Sequence, residues 1–139
     1  WVLKGHASFV YCCDVSNDET RALSGSSDKT LCVWDLSSGT LEFQLKGHAA
    51  RVNDCVFFEN DTKALSASAD ETLRVWNLST KQTELILEGH KNHVRCCCVF
   101  DKDKKALSCS DDGTLKVWDL SNGQVLQTLT GNAWSCAIL

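Results

Sequence analysis

Short apolar runs alternate with polar clusters along the whole chain. The clearest runs are rich in Val, Phe and Cys, and they cover Val10–Val15, Val52–Phe58 and Val94–Phe100. Each run is followed by a polar cluster, such as Glu59-Asn60-Asp61, which is typical of the turn between two strands. The pattern predicts β-hairpins, and no segment has a convincing helical periodicity.

The same pattern occurs three times. Three Gly-His pairs are spaced by 42 residues and begin at Gly5, Gly47 and Gly89. Three tryptophans share this spacing without insertion or deletion, and 16 of the 42 positions are identical in all three copies. We therefore predict a single array of three units, followed by a short tail. The units are 5–46, 47–88 and 89–130, and the tail is 131–139.

Each unit contains four predicted strands. In the first unit these are Val10–Val15, a run around Ala22–Ser24, Leu31–Leu36 and the more polar Leu41–Leu45. The fourth strands of the other units are Thr83–Leu87 and Val125–Leu129. Four antiparallel strands in about 42 residues correspond to one blade of a β-propeller.

The units resemble WD repeats. The Gly-His, Ser-x-Ser-x-Asp and Trp-Asp elements recur at fixed offsets, and the resemblance covers Trp1 to Leu129. Asn77 replaces the usual Asp once, and Gly131-Asn132 lacks the His, so we expect the array to stop there. The resemblance implies an all-β fold of three four-stranded antiparallel propeller blades. It also implies a non-catalytic scaffold that binds other proteins.

A His, a Ser and an Asp recur in every unit, a combination that also suggests a hydrolase. In WD repeats the matching residues form a buried chain with Trp, in which Asp accepts from His, His bonds Ser, and Ser accepts from the indole N–H. The structural tetrads implied here are His6, Ser24, Asp28 and Trp34; His48, Ser66, Asp70 and Trp76; and His90, Ser108, Asp112 and Trp118. Three copies favour a structural role, and no G-x-S-x-G motif or Gly-rich oxyanion loop accompanies them. We therefore expect no catalytic residues, with hydrolase activity as the less favoured alternative.

The resemblance assigns partner binding to the top rim of the propeller. The positions concerned are the third and fifth residues after each tetrad His and the residue before each tetrad Asp. They are Phe9, Tyr11 and Ser27; Arg51, Asn53 and Ala69; and His93, Arg95 and Asp111. These residues differ in every unit and include aromatic and Arg side chains, which are enriched at interface hot spots. The alternative is that they are ordinary surface residues or are partly buried between blades.

Composition narrows the function further. The net charge is −4 and no run of Lys or Arg is present, which argues against nucleic-acid binding. No stretch approaches the ~18 apolar residues of a membrane span, and no signal peptide is recognisable. No P-loop, dinucleotide or metal motif occurs, so we expect no cofactor and no metal. Because the sequence contains no Met, we expect a segment of a longer protein.

Nine cysteines raise the question of disulfide bonds. Cys13, Cys55 and Cys97 lie one repeat apart within apolar strands, where we expect them to be buried as small hydrophobic residues. The count is odd, and the adjacent cysteines 96–98 do not have the C-x₂-C spacing of a zinc site. We expect reduced thiols in a cytosolic or nuclear protein that is not secreted. A disulfide scaffold is the weaker alternative.

A three-blade array leaves a sheet face open at each end. Either further blades exist in a longer chain, or two or three copies associate head to tail to close a ring of six or nine blades. An oligomerising module, or the sensor end of a larger signalling protein, is the corresponding alternative function. Trp1–Lys4 aligns with Phe43–Lys46 and is predicted as an extra fourth strand. In a ring it competes with Val125–Leu129 for one edge, and the tail Trp134–Leu139 is displaced.

Overall fold

The strands of this protein form three four-stranded antiparallel sheets, each with its strands in sequential order. The structure is a computed structural model that describes residues 2–131, which contain twelve strands and no helix. Blade 1 contains β1 (Val10–Val15), β2 (Arg21–Ser26), β3 (Thr30–Asp35) and β4 (Thr40–Lys46). Blade 2 contains β5 (Val52–Phe58), β6 (Lys63–Ser68), β7 (Leu73–Asn77) and β8 (Gln82–Leu87). Blade 3 contains β9 (Val94–Phe100), β10 (Lys105–Ser110), β11 (Thr114–Asp119) and β12 (Val125–Thr130). The predicted all-β fold of three propeller blades is confirmed.

The extra strand predicted at Trp1–Lys4 is wrong for residues 2–4, which form no strand. A strand needs a ladder partner, but the alignment with Phe43–Lys46 makes residues 2–4 the outer strand of a blade preceding blade 1, and the described residues contain no such blade. Leu3 packs instead against the small cluster that contains Trp34. The edge of blade 3 is formed by β12, which pairs with β11. Trp1 and the tail Trp134–Leu139 lie outside the described residues.

Each blade has two different faces. At each interface between blades, one kind of face packs against the other kind. We call one the leucine face, which in blade 1 consists of Leu23, Leu31, Val33 and Leu45. We call the other the tryptophan face, which in blade 2 consists of Val52, Cys55, Phe57, Ala64, Trp76 and Leu78. The leucine face of blade 1 packs on the tryptophan face of blade 2. The same arrangement joins blades 2 and 3.

Equivalent residues differ in burial according to whether a neighbouring blade covers them. Val52 and Val94 are 0% exposed, whereas the equivalent Val10 is 55% exposed. Leu45 and Leu87 are at most 1% exposed, whereas the equivalent Leu129 is 43% exposed. Among the described residues, no sheet covers the tryptophan face of blade 1 or the leucine face of blade 3.

The cysteines follow the same rule. Cys55 and Cys97 are buried, as predicted. The prediction is wrong for Cys13, which is exposed because it lies on the uncovered tryptophan face of blade 1. Between residues 2 and 131, seven cysteines carry free thiols: Cys12, Cys13, Cys32, Cys55, Cys97, Cys98 and Cys109. Cys96 Sγ lies 3.1 Å from Cys109 Sγ.

Carboxylates in the first turns of blades 2 and 3 add polar links to the preceding blade. The turn at Glu59-Asn60-Asp61 has three consecutive residues in the left-handed region. It places the Asp61 side chain so that it accepts hydrogen bonds from the Asn17 backbone N–H at 2.8 Å and the Asn17 side chain at 3.1 Å. One repeat later, Asp103 accepts from the Glu59 backbone N–H at 3.1 Å. These contacts fix one edge of both interfaces. No helix in residues 2–131 is long and apolar enough to span a bilayer.

Candidate functional site

The four residues of the first tetrad lie in direct contact. His6 Nδ1 is 2.9 Å from Asp28 Oδ2, and His6 Nε2 is 2.8 Å from Ser24 Oγ. The Trp34 indole N–H donates to the same Ser24 oxygen at 2.8 Å. The hydrogen-bonded tetrad of blade 1 therefore links the loop before β1 to β2, to β3 and to the turn between β2 and β3.

The other two tetrads repeat this geometry. The His–Asp, His–Ser and Trp–Ser distances are 2.7, 2.8 and 2.8 Å in blade 2. In blade 3 they are 2.8, 2.7 and 2.8 Å. Each His ring also contacts its Trp ring edge-on, with centroids 5.8 to 6.0 Å apart. The residues are His48, Ser66, Asp70 and Trp76, and His90, Ser108, Asp112 and Trp118.

One arrangement of protons gives a hydrogen-bond partner to each polar group that links Trp, Ser, His and Asp within a tetrad. The indole N–H donates to the Ser oxygen, the Ser hydroxyl donates to Nε2 of a neutral His, and Nδ1–H of that His donates to Asp. Buried donors and acceptors need such partners, because each one left unpaired costs about 1–3 kcal/mol. The geometry therefore satisfies the polar groups that the Trp ring brings into the apolar interior.

The Asp of each tetrad also holds the turn that contains it. Asp28 accepts from the Ala7 N–H at 2.8 Å, the Thr30 N–H at 3.0 Å and the Thr30 hydroxyl at 2.6 Å. Burial opposes its ionisation, but the hydrogen bonds from Thr30, Ala7 and His6 prevail and lower the pKa of Asp28 to about 2. The pKa values of Asp70 and Asp112 lie well below the ordinary value for the same kind of reason. All three carboxylates are ionised at neutral pH.

Glycine precedes each tetrad His because the Trp ring packs against it. A Cβ atom on Gly5 would lie 2.8 Å from Trp34 Cη2, and one on Gly47 would lie 3.1 Å from Trp76 Cη2. Contacts this close force the ring or the backbone to move. The recurring Gly-His pair is thus explained by packing as well as by hydrogen bonding.

The Ser–His and His–Asp distances match those of a nucleophile and base in a hydrolase, but access to the serines differs between blades. Ser66 and Ser108 are 0% exposed. Ser24 is 7% exposed and lines a cavity of about 560 Å³ together with Gly5, His6 and Cys13. In the described structure, a substrate could therefore approach a tetrad serine only in blade 1.

The rim positions are brought together by one backbone hydrogen bond in each blade. The Ser27 N–H donates to the Phe9 carbonyl at 2.8 Å in blade 1. The equivalent bonds are Ala69 N–H to the Arg51 carbonyl at 2.9 Å, and Asp111 N–H to the His93 carbonyl at 3.0 Å. The backbone of this rim is constant while its side chains change from blade to blade.

The rim side chains of blades 1 and 2 combine exposed aromatic surface with a cation. Phe9 is 79% exposed and Tyr11 is 50% exposed. The Arg51 guanidinium lies 5.1 Å from the Tyr11 ring centroid. Hydrogen bonds from Ser27 and Arg51 lower the pKa of the Tyr11 hydroxyl. Asn53 behaves differently, because its side chain donates to the Val94 carbonyl at 2.7 Å and so connects two blades.

The blade 3 rim is an ion-paired cluster. Arg95 Nε donates to Asp111 Oδ1 at 2.7 Å, and a second Arg95 nitrogen contacts the other carboxylate oxygen. His93 lies 3.8 Å from Asp111. Arg95 is the main cause of the lowered pKa of the Asp111 carboxyl. Ser27 and Ala69, the remaining rim residues, are partly exposed.

Sequence reasoning did not anticipate the contact between Tyr11 and Arg51. It compared residues one repeat apart, whereas these two rim residues are 40 positions apart and meet across an interface. The available signal was the presence of an aromatic and a cationic residue at neighbouring rim positions. No group of three or more His, Cys, Asp or Glu residues between residues 2 and 131 is arranged to hold a metal ion.

Comparison with known proteins agrees with this geometry. The family model for the WD domain, G-beta repeat, matches residues 1–35, 39–77 and 81–119. A 38-residue segment is 53% identical to MST50-interacting protein 11 from Pyricularia oryzae, covering 27% of this chain and 12% of that protein. Small ribosomal subunit protein RACK1 from Neurospora crassa matches with the same identity and coverage. WD repeat-containing protein 18 from Danio rerio is 51% identical over 37 residues, which cover 27% of this chain and 9% of that protein.

The matches to individual proteins span only about a tenth of the length of these curated relatives. The match to the family model, in contrast, includes all three tetrad serines and covers most of the chain. The repeat length, the three sheets and the tetrads all agree with that match. The chain belongs to the WD-repeat family.

Proposed function

We propose that this protein is a non-catalytic scaffold that binds other proteins through its top rim. The observation that carries the proposal is the contrast at the rim, where one backbone arrangement displays different, exposed side chains in each blade. Phe9, Tyr11 and Arg51 provide an apolar and cationic contact surface of the kind that dominates interface energetics. WD-repeat proteins are typically non-enzymatic scaffolds, which supports the same function.

The surroundings of this surface are consistent with a protein partner. The net charge of −4 is unfavourable for nucleic-acid binding. One matched relative carries the name of an interacting protein and another that of a ribosomal subunit protein, so both names associate the repeat with larger assemblies. We propose that the protein acts in the cytoplasm or nucleus and needs no cofactor.

The rim proposal is tested by capture of partners with matched variants. The immobilised protein is exposed to a cell extract, and bound proteins are identified by mass spectrometry with Phe9→Ala, Arg51→Ala and Ile86→Ala variants in parallel. Ile86 is the control, since it is 46% exposed but lies on β8, on the outer strand of blade 2. We expect the two rim variants to lose the same proteins and the control to retain them. Equal capture by all three variants would contradict the proposal.

Absence of catalysis is tested at Ser24, the tetrad serine that borders a cavity. A fluorophosphonate probe reacts with activated serines, and the mass of the labelled protein shows how many have reacted. We expect no adduct on the folded protein, because the Trp34 indole N–H donates to the Ser24 oxygen at 2.8 Å and so occupies an electron pair that a nucleophile would need. An adduct on Ser24 that disappears in His6→Gln would establish a hydrolase-type site.

We also propose that copies of this chain associate head to tail and close a ring of two or three copies. The observation behind this proposal is that the two uncovered faces match each other. The leucine face of blade 3 consists of Leu107, Leu115, Val117 and Leu129, the equivalents of residues that pack on a tryptophan face at both existing interfaces. The uncovered tryptophan face of blade 1, which includes Val10, Cys13 and Val15, would receive this leucine face in the next copy.

Molar mass in solution tests this association. Light scattering at micromolar concentration should give two or three times the chain mass of 15.3 kDa. Leu129→Asp should dissociate the assembly, because it introduces a charge into the apolar contact. Leu126→Glu is the matched control, since Glu42 and Glu84 occupy this position in the other blades. A folded monomer, or an assembly that survives Leu129→Asp, would exclude the proposed interface.

A further inference from the structure

Two sulfur atoms face each other across the interface between blades 1 and 2. Cys12 Sγ lies 3.2 Å from Cys55 Sγ, although the two residues are 43 positions apart in the chain. Cys12 is partly exposed on β1, whereas Cys55 is 4% exposed on β5. The pair thus has one thiol that a small reagent can reach and one that is held behind it.

The second interface has a different pair at the same place. Asp54 occupies the position of Cys12 one repeat later, and it faces Cys97, the equivalent of Cys55. There the Asp54 carboxylate accepts a hydrogen bond from the Cys97 backbone N–H at 2.9 Å. The chain therefore contains its own control, with a thiol facing a thiol at one interface and a carboxylate facing a thiol at the other.

We propose that Cys12 and Cys55 form an oxidative modification site, at which glutathione disulfide converts the two thiols into a disulfide bond that joins blade 1 to blade 2. The sulfurs already lie at about van der Waals contact, and a modest approach brings them to the ~2.05 Å of an S–S bond. This site is independent of the proposed partner-binding rim and of ring closure.

The reaction proceeds by two thiol–disulfide exchanges. Cys12 loses its proton to solvent, and its thiolate attacks one sulfur of glutathione disulfide, which forms a mixed disulfide and releases one glutathione thiolate. Cys55 then loses its proton, and its thiolate attacks Cys12 Sγ and releases the second glutathione. In total, two protein thiols are oxidised by two electrons and one glutathione disulfide is reduced to two glutathione molecules.

The order of the two steps follows from access and ionisation. Cys12 reacts first because it is partly exposed, whereas Cys55 is buried. The hydrogen bond from Cys12, together with burial, raises the pKa of the Cys55 thiol. The thiolate is the nucleophile in such exchanges, so we expect closure of the bond to accelerate as the pH rises above neutrality.

Peptide mapping tests the proposal directly. The full chain is incubated with glutathione disulfide at pH 8, remaining thiols are alkylated, and the protein is digested with trypsin without reduction. Because Cys12 and Cys13 share the tryptic peptide 5–21, the assay uses a Cys13→Ser background, in which the exposed Cys13 is removed. We expect peptide 5–21 to be linked to peptide 52–63, with a mass two hydrogens below the sum of the two. The melting temperature should rise relative to the dithiothreitol-treated protein, because the bond restricts separation of the two blades.

Two variants in this background complete the test. Cys12→Ser should abolish both the linked peptide and the rise in melting temperature. Cys97→Ser should leave both unchanged, because Cys97 faces Asp54 rather than a thiol. The proposal is overturned if the oxidised Cys13→Ser protein, still folded by circular dichroism, carries alkyl groups on both Cys12 and Cys55. It is equally overturned if Cys55 is linked to a different cysteine, or if the 5–21 and 52–63 peptides are joined only in species of twice the chain mass.

Discussion

The tetrads and the top rim occupy equivalent positions in all three blades, but they differ in burial and in sequence. The tetrad serines are at most 7% exposed, and their hydrogen-bond lengths agree within 0.2 Å between blades. The rim side chains change from Phe9 to Arg51 to His93 at one position, and Phe9 is 79% exposed.

This difference separates residues that hold the blade from residues available to a partner. A buried polar chain must be complete in every blade, because each missing partner leaves an unsatisfied group. Exposed side chains carry no such requirement and are free to differ. We therefore expect substitutions in the tetrads to reduce stability, and substitutions at the rim to reduce partner binding while leaving stability nearly unchanged.

The largest expected effect is that of Trp76→Ala, which should lower the free energy of unfolding by about 3–5 kcal/mol. Trp76 is 1% exposed and packs on the leucine face of blade 1, so its removal opens a cavity and leaves Ser66 without its donor. Denaturant titration followed by circular dichroism measures the change. Trp34→Ala is the matched variant and should cost less, because Trp34, although 3% exposed, is covered by Leu3 and Leu36 and by no neighbouring sheet among the described residues. A loss of partner binding with unchanged unfolding would show that Trp76 belongs to a contact surface instead.

Ser108→Ala should have a smaller effect, of about 1–3 kcal/mol. The substitution removes little volume but leaves the Trp118 N–H and His90 Nε2 without their common partner. The same titration measures it, with Ser38→Ala as a control in an exposed turn, where we expect a change within about 0.5 kcal/mol. Equal effects of the two serine variants would mean that the hydrogen bonds of the buried tetrad add no stability.

Acidification should destabilise the protein in two stages. Burial lowers the pKa of His90, so between pH 7 and 5 the unfolded chain takes up a proton that the folded one resists, and the free energy of unfolding falls. Asp28 has its pKa lowered to about 2, so its contribution is complete above the ordinary Asp range and is lost as the pH falls toward 2. Denaturant titrations from pH 7 to 2 measure both stages. In His90→Gln the decline between pH 7 and 5 should become shallower, and an unchanged slope would assign it to other groups.

The smallest expected effect on stability is that of Phe9→Ala, which should change the free energy of unfolding by less than about 0.5 kcal/mol. The Phe9 side chain is already largely in solvent, so its removal uncovers little new apolar surface. Thermal unfolding compared with the wild-type protein tests this expectation. A loss of more than about 2 kcal/mol would mean that Phe9 is buried in solution, for example in a contact between copies.

The strands and their order were predictable because each rests on local information. The apolar runs and polar turns recur with a period of 42 residues, and β1, β5 and β9 have the bounds that the pattern predicts. The structure brings the four residues of each tetrad into contact. These pairings are long-range, so the family resemblance could supply them but the period of the sequence alone could not.

Features that depend on a neighbouring blade were not predictable in the same way. Cys13, Cys55 and Cys97 occupy the same position of the repeat, but Cys13 alone of the three is exposed, because no described sheet covers it. Residues 2–4 have the sequence of a strand and lack a free edge with which to pair. The Cys12–Cys55 contact joins positions offset by one residue from the repeat, and a β-bulge after each of Val10 and Val52 shifts the registers on both sides.

The central claim is that the tetrads hold the blades and the rim binds the partner, and one paired measurement tests it most directly. The free energy of unfolding and the amount of captured partner per folded molecule are measured for Ser66→Ala and Arg51→Ala. The account predicts that Ser66→Ala loses about 1–3 kcal/mol of stability and retains capture, whereas Arg51→Ala loses capture and keeps most of its stability. The opposite pattern, with capture lost in Ser66→Ala and retained in Arg51→Ala, would contradict it.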